Sequence, residues 1–272
     1  MVQKLIALDL DGTALNQAGV IDDATSHIIQ DIIAKGHIVC IVTGRSTRLA
    51  LPAYQKLGLT TPMINFNGAM GIIPNQKWSA EYEFPINTQI VLDLLAHQAA
   101  LGIQVMAAED KQMLLANQPA SSQLFKESYG FFPDQLAPNE ILNEHNLTED
   151  PIGLAVSYDH NKLAQLTTYI DQHYGQQIEI AHWGGPLSVL EIKRTGVNKA
   201  YGVHQLSQAF QINPENIIAI GDQINDLPLL RAAGTKVAMK NAVPEIKAVA
   251  DMVTDEDNDH QGAAKYLAQL VD

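Results

Sequence analysis

Apolar residues in this chain fall in short blocks that alternate with segments of helical period. Residues 4–9, built around Leu5-Ile6-Ala7-Leu8, read as a strand, the amphipathic run from Ala24 to Lys35 as a helix, and Gly36 to Val42 as a second strand. That second strand is apolar almost throughout, the pattern of a strand covered on both faces. Met63-Ile64-Asn65-Phe66-Asn67-Gly68 adds a further short strand and turn. From about Phe84 to Ile192 the character changes. Thr88 to Leu101 predicts a helix, short strands are expected at 103–107, 152–157, 178–182 and 188–192, and turn-forming residues crowd the stretch from Pro119 to Pro151. After Lys193 the first style returns: a helix over Lys199 to Phe210, a strand over Asn216 to Ile220, a helix near Asp226 to Ala233, and short strands at 236–239 and 251–254 around a helix at 244–250. Strands alternating with helices predict an α/β fold with a doubly wound parallel sheet. The expected domains are a discontinuous core, 1–83 with 193–272, closing around an inserted α/β domain at 84–192.

Two acidic motifs stand where apolar strands end. Asp9-Leu10-Asp11-Gly12-Thr13 follows the first strand, and Gly221-Asp222-Gln223-Ile224-Asn225-Asp226 follows the strand that ends at Ile220. Ligands of open α/β sheets bind beyond the carboxyl ends of the strands, so acids far apart in sequence converge there. Carboxylates held close together need a cation, and the pairing points to metal-assisted phosphate chemistry. Asp9 and Asp11 are two apart, so in an extended segment they share one face, one suited to be metal ligand and nucleophile and the other proton carrier. The second strand also ends in polar residues, Thr43-Gly44-Arg45.

Composition narrows the partners. The 272 residues are 46% hydrophobic, enough for ordinary cores, and a formal charge of -13 argues against nucleic acid or an anionic membrane as the main partner. Cys40 is the single cysteine, which excludes an intrachain disulfide and a cysteine-rich zinc site and reads as a buried structural thiol. The apolar stretch at the N-terminus is interrupted by Asp9, too short for a signal segment or a membrane span, so a cytoplasmic protein is expected.

Several other chemistries fall away. A calcium loop starting at Asp9 needs Gly at its sixth position and Glu at its twelfth, where this chain has Ala14 and Val20. The phosphate-binding loop of nucleotide enzymes, the glycine-rich dinucleotide fingerprint and the nucleophile elbow of α/β serine hydrolases are all missing, and the nine histidines show no metal spacing. His182-Trp183-Gly184-Gly185 is a candidate for ligand contact, although packing is the commoner role of such an aromatic.

Asp9-Leu10-Asp11-Gly12-Thr13, Ile41-Val42-Thr43-Gly44-Arg45, Lys199 and Gly221 to Asp226 resemble, in order, the four motifs of the haloacid dehalogenase superfamily of phosphohydrolases. The length of the insert, with Asn67-Gly68-Ala69 before it and Gly196-Val197-Asn198-Lys199 after it, is similar to that of the Cof-type branch. The resemblance implies a Rossmann-like core and a mobile α/β cap. It further implies that Asp9 attacks phosphorus to form an aspartyl-phosphate, with Mg²⁺ held by Asp9, the main-chain carbonyl of Asp11, and Asp222. Asp11 would protonate the leaving alkoxide and later take a proton from water. Lys199, the Thr43 hydroxyl and the Gly44 N–H would bind phosphoryl oxygens, with Asn225 completing the phosphate pocket. Asp226 would either join the metal shell or orient Lys199, and Arg45 would either touch the phosphate or line the rim of the crevice. Ala14 stands where Leu is common, Ala200 where Gly is common, and the acidic tail from Thr254 to Gly262 carries an extra polar residue; none of these removes a reacting group.

The expected activity is hydrolysis of a small phosphomonoester such as a sugar phosphate. A phosphotransferase or mutase using the same aspartate, and a non-catalytic binder of phosphorylated metabolites, are the alternatives. The expected partner is a small phosphorylated metabolite, with no nucleic acid and no membrane, and the sequence leaves the oligomeric state open.

Overall fold

Leu5 to Leu8 are four successive residues with no exposed surface. Side chains alternate faces along a strand, so a run like this requires cover on both sides of the sheet. The structure, a computed structural model, describes residues 2–182 and 188–271; Trp183, Gly184 and Gly185 therefore lie outside the described residues. The chain divides into two compact units, 1–82 with 198–272, and 83–197.

The strands of the first unit are β1 (Leu5–Leu8), β2 (Ile38–Ile41), β3 (Met63–Asn65), β4 (Met70–Ile72), β5 (Ile217–Gly221), β6 (Thr235–Ala238) and β7 (Met252–Val253). Its helices are α1 (Asp23–Ala34), α2 (Thr47–Lys56), α3 (Lys199–Phe210), α4 (Leu227–Arg231), α5 (Pro244–Lys247) and α6 (Gly262–Val271). Five strands form one parallel sheet in the order β7-β6-β5-β1-β2. A parallel bridge from Val42 to Ile64 sets β3 beside the end of β2, and β4 returns antiparallel to β3. Helices α1 and α6 pack against each other, as do α3 and α4. This is the doubly wound α/β arrangement that the alternating pattern predicts. Cys40 is fully buried in β2, opposite Ala7, and burial pushes its thiol up to about 12, so it is an inert core residue.

Register fixes where the site lies. Leu8 stands opposite Ile220 on one side and Ile41 on the other, so β1, β5 and β2 end level with one another. The next residues out are Asp9, Gly221-Asp222 and Val42-Thr43, and they leave the sheet together. Asp9 N–H still donates to the Ile220 carbonyl (3.2 Å) and Val42 N–H to the Leu8 carbonyl (2.9 Å), which carries the register to the rim.

The second unit is a five-stranded antiparallel sheet in the order 114–116, 103–109, 153–158, 189–194, 178–182. Helices Thr88–Ala96 and Leu163–Tyr174 pack on one face, while Phe132 joins Val105, Ala107 and Val189 in a second apolar cluster. The helix expected from Thr88 to Leu101 breaks at His97, whose backbone leaves the helical region before a short turn, Gln98–Leu101, ends at left-handed Gly102. Helix Ser122–Glu127 sits in the stretch where turn residues mask it, with Ser121 accepting from Leu124 N–H as its cap. Among the described residues no helix is long and apolar enough to cross a membrane.

Gly202 seats α3 on the sheet. A Cβ there would lie 2.4 Å from Cγ2 and 2.9 Å from Cγ1 of the fully buried Ile64. Gly202→Ala is expected to cost about 1–3 kcal/mol by overpacking, measured by urea unfolding. Combining it with Ile64→Ala should relieve much of that cost, whereas Ile64→Val, which keeps both γ carbons, should not.

Candidate active site

The first acidic motif does not continue as a strand. Leu10–Ala14 forms a wide turn closed by Leu15 N–H donating to the Leu10 carbonyl (2.8 Å), in which Asp11 stays extended and Gly12 is left-handed at φ +70°. Asp9 (ψ 162°) and Asp11 (ψ 125°) both keep extended backbone, one on each side of Leu10. Asp9 is buried, and Asp11 projects with half of its side chain exposed. Gly12 is needed for more than its φ: a Cβ there would sit 2.3 Å from Asp222 Oδ2. Thr13 Oγ1 donates to Asp222 Oδ1 (3.2 Å), and the Asn241 amide donates to the Gly12 carbonyl (2.7 Å). The turn is thus pinned to the far motif.

The last motif is built the same way. After β5 the chain enters a short 3-10 turn, Ile224–Asp226, and the Asp226 carboxylate folds back to accept from the Asp222 and Gln223 N–H groups (2.9 and 3.0 Å) through Oδ2. It passes so close to Gly221 that a Cβ there would meet it at 2.5 Å. Its other oxygen, Oδ1, accepts from Lys199 Nζ at 2.6 Å. With both oxygens occupied, Asp226 is placed to hold Lys199.

Lys199 is the first residue of α3, set there by Asn198, whose Oδ1 accepts from Ala200 N–H (3.0 Å) as the helix cap. Its ammonium has no exposed surface and donates to Asp9 Oδ1 at 2.6 Å as well as to Asp226. Burial alone would lower the Lys199 pKa; Asp226 and Asp9 outweigh it and hold the ammonium charged well above its usual range.

Carboxylate oxygens of Asp9, Asp222 and Asp226 all lie within 4.8 Å of one another. One ammonium cannot neutralise three carboxylates. Burial first, and then the charge of Asp226, push Asp9 well above the ordinary carboxylate range and raise Asp222 to about 7. Buried hard-oxygen donors with uncompensated negative charge, foremost Asp9 and Asp222, fit a divalent cation of the Mg²⁺ kind.

On the other side of the rim, Thr43 is fully buried and its Oγ1 accepts from Arg45 N–H (3.1 Å), which leaves the hydroxyl proton to be donated. Gly44 sits beside the Asn67 side chain, and Asn225 Nδ2 donates to Asn67 Oδ1 at 3.0 Å. Arg45 is turned toward the first motif. It is buried, and its guanidinium grips Asp11 with two bonds, Nη2 to Oδ1 at 2.6 Å and Nε to Oδ2 at 2.8 Å. The structure thus brings Asp9, Lys199, Asp222 and Asp226 into one cluster, ties Asp11 to Arg45, and places Thr43, Gly44 and Asn225 around Asn67. The sequence carried a trace of these supports in the adjacency of Arg45 to Thr43-Gly44 and of Asn67 to Gly68; the contacts of Asn241 across the fold left none.

The family model described as haloacid dehalogenase-like hydrolase matches residues 6–267. The chain is 31% identical over 265 residues to the 5-amino-6-(5-phospho-D-ribitylamino)uracil phosphatase YitU of Bacillus subtilis, covering 97% of this chain and 96% of that protein. It is 29% identical over 269 residues to a second phosphatase of that description from the same organism, YcsE, covering 98% and 96%. Among solved structures, a haloacid dehalogenase-like hydrolase from Bacteroides thetaiotaomicron superposes with a TM-score of 0.85 at 23% identity, over 99% of this chain and 100% of that one.

The crowded carboxylates have a thermodynamic consequence. Raised pKa values mean that the folded protein keeps protons which the unfolded chain has lost above the usual carboxylate value, so stability falls as pH rises. In chelator, Tm is expected to decline from about pH 4 to about pH 7, the window set by Asp222. Asp222→Asn should flatten that decline; thermal denaturation across the range, followed by circular dichroism, measures it.

Proposed function

The chain belongs to the haloacid dehalogenase-like hydrolases, in their Cof-type branch, and from that premise we propose that it is a Mg²⁺-dependent phosphatase that hydrolyses small phosphomonoesters through an aspartyl-phosphate on Asp9. The observation that carries the reading is the buried Lys199, which binds one oxygen of Asp9 and leaves the carboxylate fixed at the mouth of three level strand ends.

A carboxylate attacking a phosphate dianion faces like-charge repulsion, and bound Mg²⁺ would supply the neutralising charge and polarise a phosphoryl oxygen. Asp9, Asp222 and the main-chain carbonyl of Asp11 are the groups that would hold it. Asp226 serves as the brace of Lys199, which orients Asp9 and neutralises charge on the phosphoryl group. The Thr43 hydroxyl, Gly44 N–H and Asn225 amide donate to phosphoryl oxygens, the kind of aimed donor worth about 3 kcal/mol at such sites.

In the first step Asp9 forms a bond to phosphorus as the ester oxygen leaves with a proton from Asp11. In the second, water attacks the phosphorus of the aspartyl-phosphate, Asp11 accepts the water proton, and phosphate departs as Asp9 is regenerated. Arg45 pairs with the Asp11 carboxylate in the resting state, so Asp11 takes a proton from solvent and leaves that pair before the ester oxygen departs. The substrate class follows the relatives, whose named substrate is a phosphorylated ribityl compound; this chain is assigned sugar or sugar-alcohol phosphates of that size.

Phosphate release should be measured over a panel holding the ribitylaminouracil phosphate, hexose and pentose phosphates, pyridoxal phosphate and flavin mononucleotide. Release is expected with Mg²⁺, lost in chelator, and reduced by about 10⁴-fold or more in Asp9→Asn. Phosphate passed to a sugar hydroxyl with none released would assign a mutase in its place. Asp11→Asn is expected to slow steady-state release from alkyl phosphates by about 10²–10⁴-fold, while in a single turnover the first step with p-nitrophenyl phosphate, whose leaving group needs no proton, is spared. At pH 7.5, Mg²⁺ is expected to raise Tm of the wild type and to do so less in Asp222→Asn.

A further inference from the structure

Phe66, Asn67 and Gly68 follow one another with φ of +50°, +54° and +100°. Glycine adopts such angles freely and asparagine tolerates them, but a left-handed phenylalanine is an outlier. Strain of this kind persists only where the surroundings over-determine it, and it gathers at functional sites.

The surroundings here are the catalytic motifs themselves. Asn67 N–H donates to the Thr43 carbonyl (3.0 Å), Phe66 N–H to the Arg45 carbonyl (3.2 Å), and the Asn65 side chain to that same carbonyl (3.0 Å). Gly68 lies against the residue before Lys199: a Cβ on it would be 2.2 Å from the Asn198 carbonyl oxygen. The turn is therefore wedged between the end of β2 and the start of α3. From its centre the buried Asn67 side chain reaches both Gly44, where a Cβ would stand 3.1 Å from Nδ2, and the exposed Asn225, whose Nδ2 it accepts from at 3.0 Å.

We propose that Asn67 is a positioning residue for the transferred phosphoryl group: its side-chain amide, aimed by the left-handed turn 66–68, locks Asn225 against the Thr43-Gly44 turn so that donors from two strand ends converge on one oxyanion. An amide NH₂ group carries two donors. Asn67 takes one of those on Asn225 and thereby fixes the direction of the other. Asn225 is otherwise a solvent-facing side chain in a short turn, with rotamer freedom that would blur its aim. Aspartate at position 67 would accept the same bond but set a negative charge against the phosphate. Glycine would keep the backbone and lose the connector. Asparagine alone combines a left-handed backbone, a short stem and a neutral acceptor.

The proposal rests on the reading of this cluster as a phosphoryl pocket, and two measurements keep the failures apart. Asn67→Gly, Asn225→Ala and the double variant are compared with wild type for inorganic phosphate affinity by calorimetry in Mg²⁺, for kcat and KM on an alkyl phosphomonoester, and for Tm. Asn67→Gly is expected to retain or raise Tm, because glycine relieves the positive φ. It should weaken phosphate binding by about 10-fold and kcat by about 100-fold, the scale on which losing a supporting group lets a binding group drift. The double variant should lose no more than Asn225→Ala alone. Wild-type phosphate affinity and kcat in Asn67→Gly would overturn the proposal, as would effects that multiply in the double variant, or a loss that tracks a fall in Tm. If wild type binds phosphate but releases none from any ester, the phosphatase reading fails while the affinity comparison still decides the role of Asn67. A wild type that binds no phosphate overturns both.

Discussion

Everything at the rim of the sheet is organised around one buried ammonium. Lys199 lies between Asp9 and Asp226 at 2.6 Å from each, with no exposed surface of its own. Taking charges out of water is costly, and a buried pair holds only when its geometry is good and its remaining hydrogen-bonding sites are satisfied. Here the satisfaction is supplied by backbone: Asp226 takes two amides with its second oxygen. Even so, Asp222 brings the pocket a further negative charge. The excess keeps the site unfavourable as protein alone and receptive to a cation. A core of apolar side chains would have been more stable and would have held no charge to offer a ligand.

Two glycines show how tightly the halves of the pocket interlock. Gly12 of the first motif leaves the space that Asp222 occupies, and Gly221 of the last motif leaves the space for Asp226. Each glycine is thus explained by a carboxylate, one from the opposite end of the chain and one from its own turn. Thr13 and Asn241 then tie the same segments by hydrogen bonds. The carboxylates are held by volume as much as by charge.

The strands around the site were legible in the sequence because uninterrupted apolar runs have few alternatives, and the acidic motifs because they terminate such runs. Lys199 was legible only through its resemblance to a family motif; a lysine at a helix start ordinarily reads as solvated, and no local pattern announces that its ammonium will be sealed among carboxylates. Asp9 and Asp11 keep the extended backbone expected of them, but the strand ends there, since Gly12 takes a left-handed step that a strand pattern does not encode. Arg45 and Asn67 were hidden for a related reason. Their partners, Asp11 and Asn225, are distant in sequence, and pairings across a fold leave no periodicity. In the inserted unit, helix Ser122–Glu127 went unseen where polar and turn-forming residues crowd the sequence, and Leu163–Tyr174 went unread although Leu163, Leu166, Ile170 and Tyr174 keep helical spacing.

The order of strands in the parallel sheet has a bearing on how the protein is made. β1 is synthesised before the other strands of its sheet, yet one of its two neighbours, β5, follows about two hundred residues later. Until the ribosome has delivered Ile217–Gly221, the edge of Leu5–Leu8 that will face it has an unpaired row of backbone groups beside an apolar strand. Such edges template association with other chains, and long-range parallel pairing is slow to form. The nascent N-terminal segment is therefore the part of this molecule most in need of shielding, and a message truncated before β5 would yield a polypeptide with an open, adhesive sheet rather than a smaller enzyme.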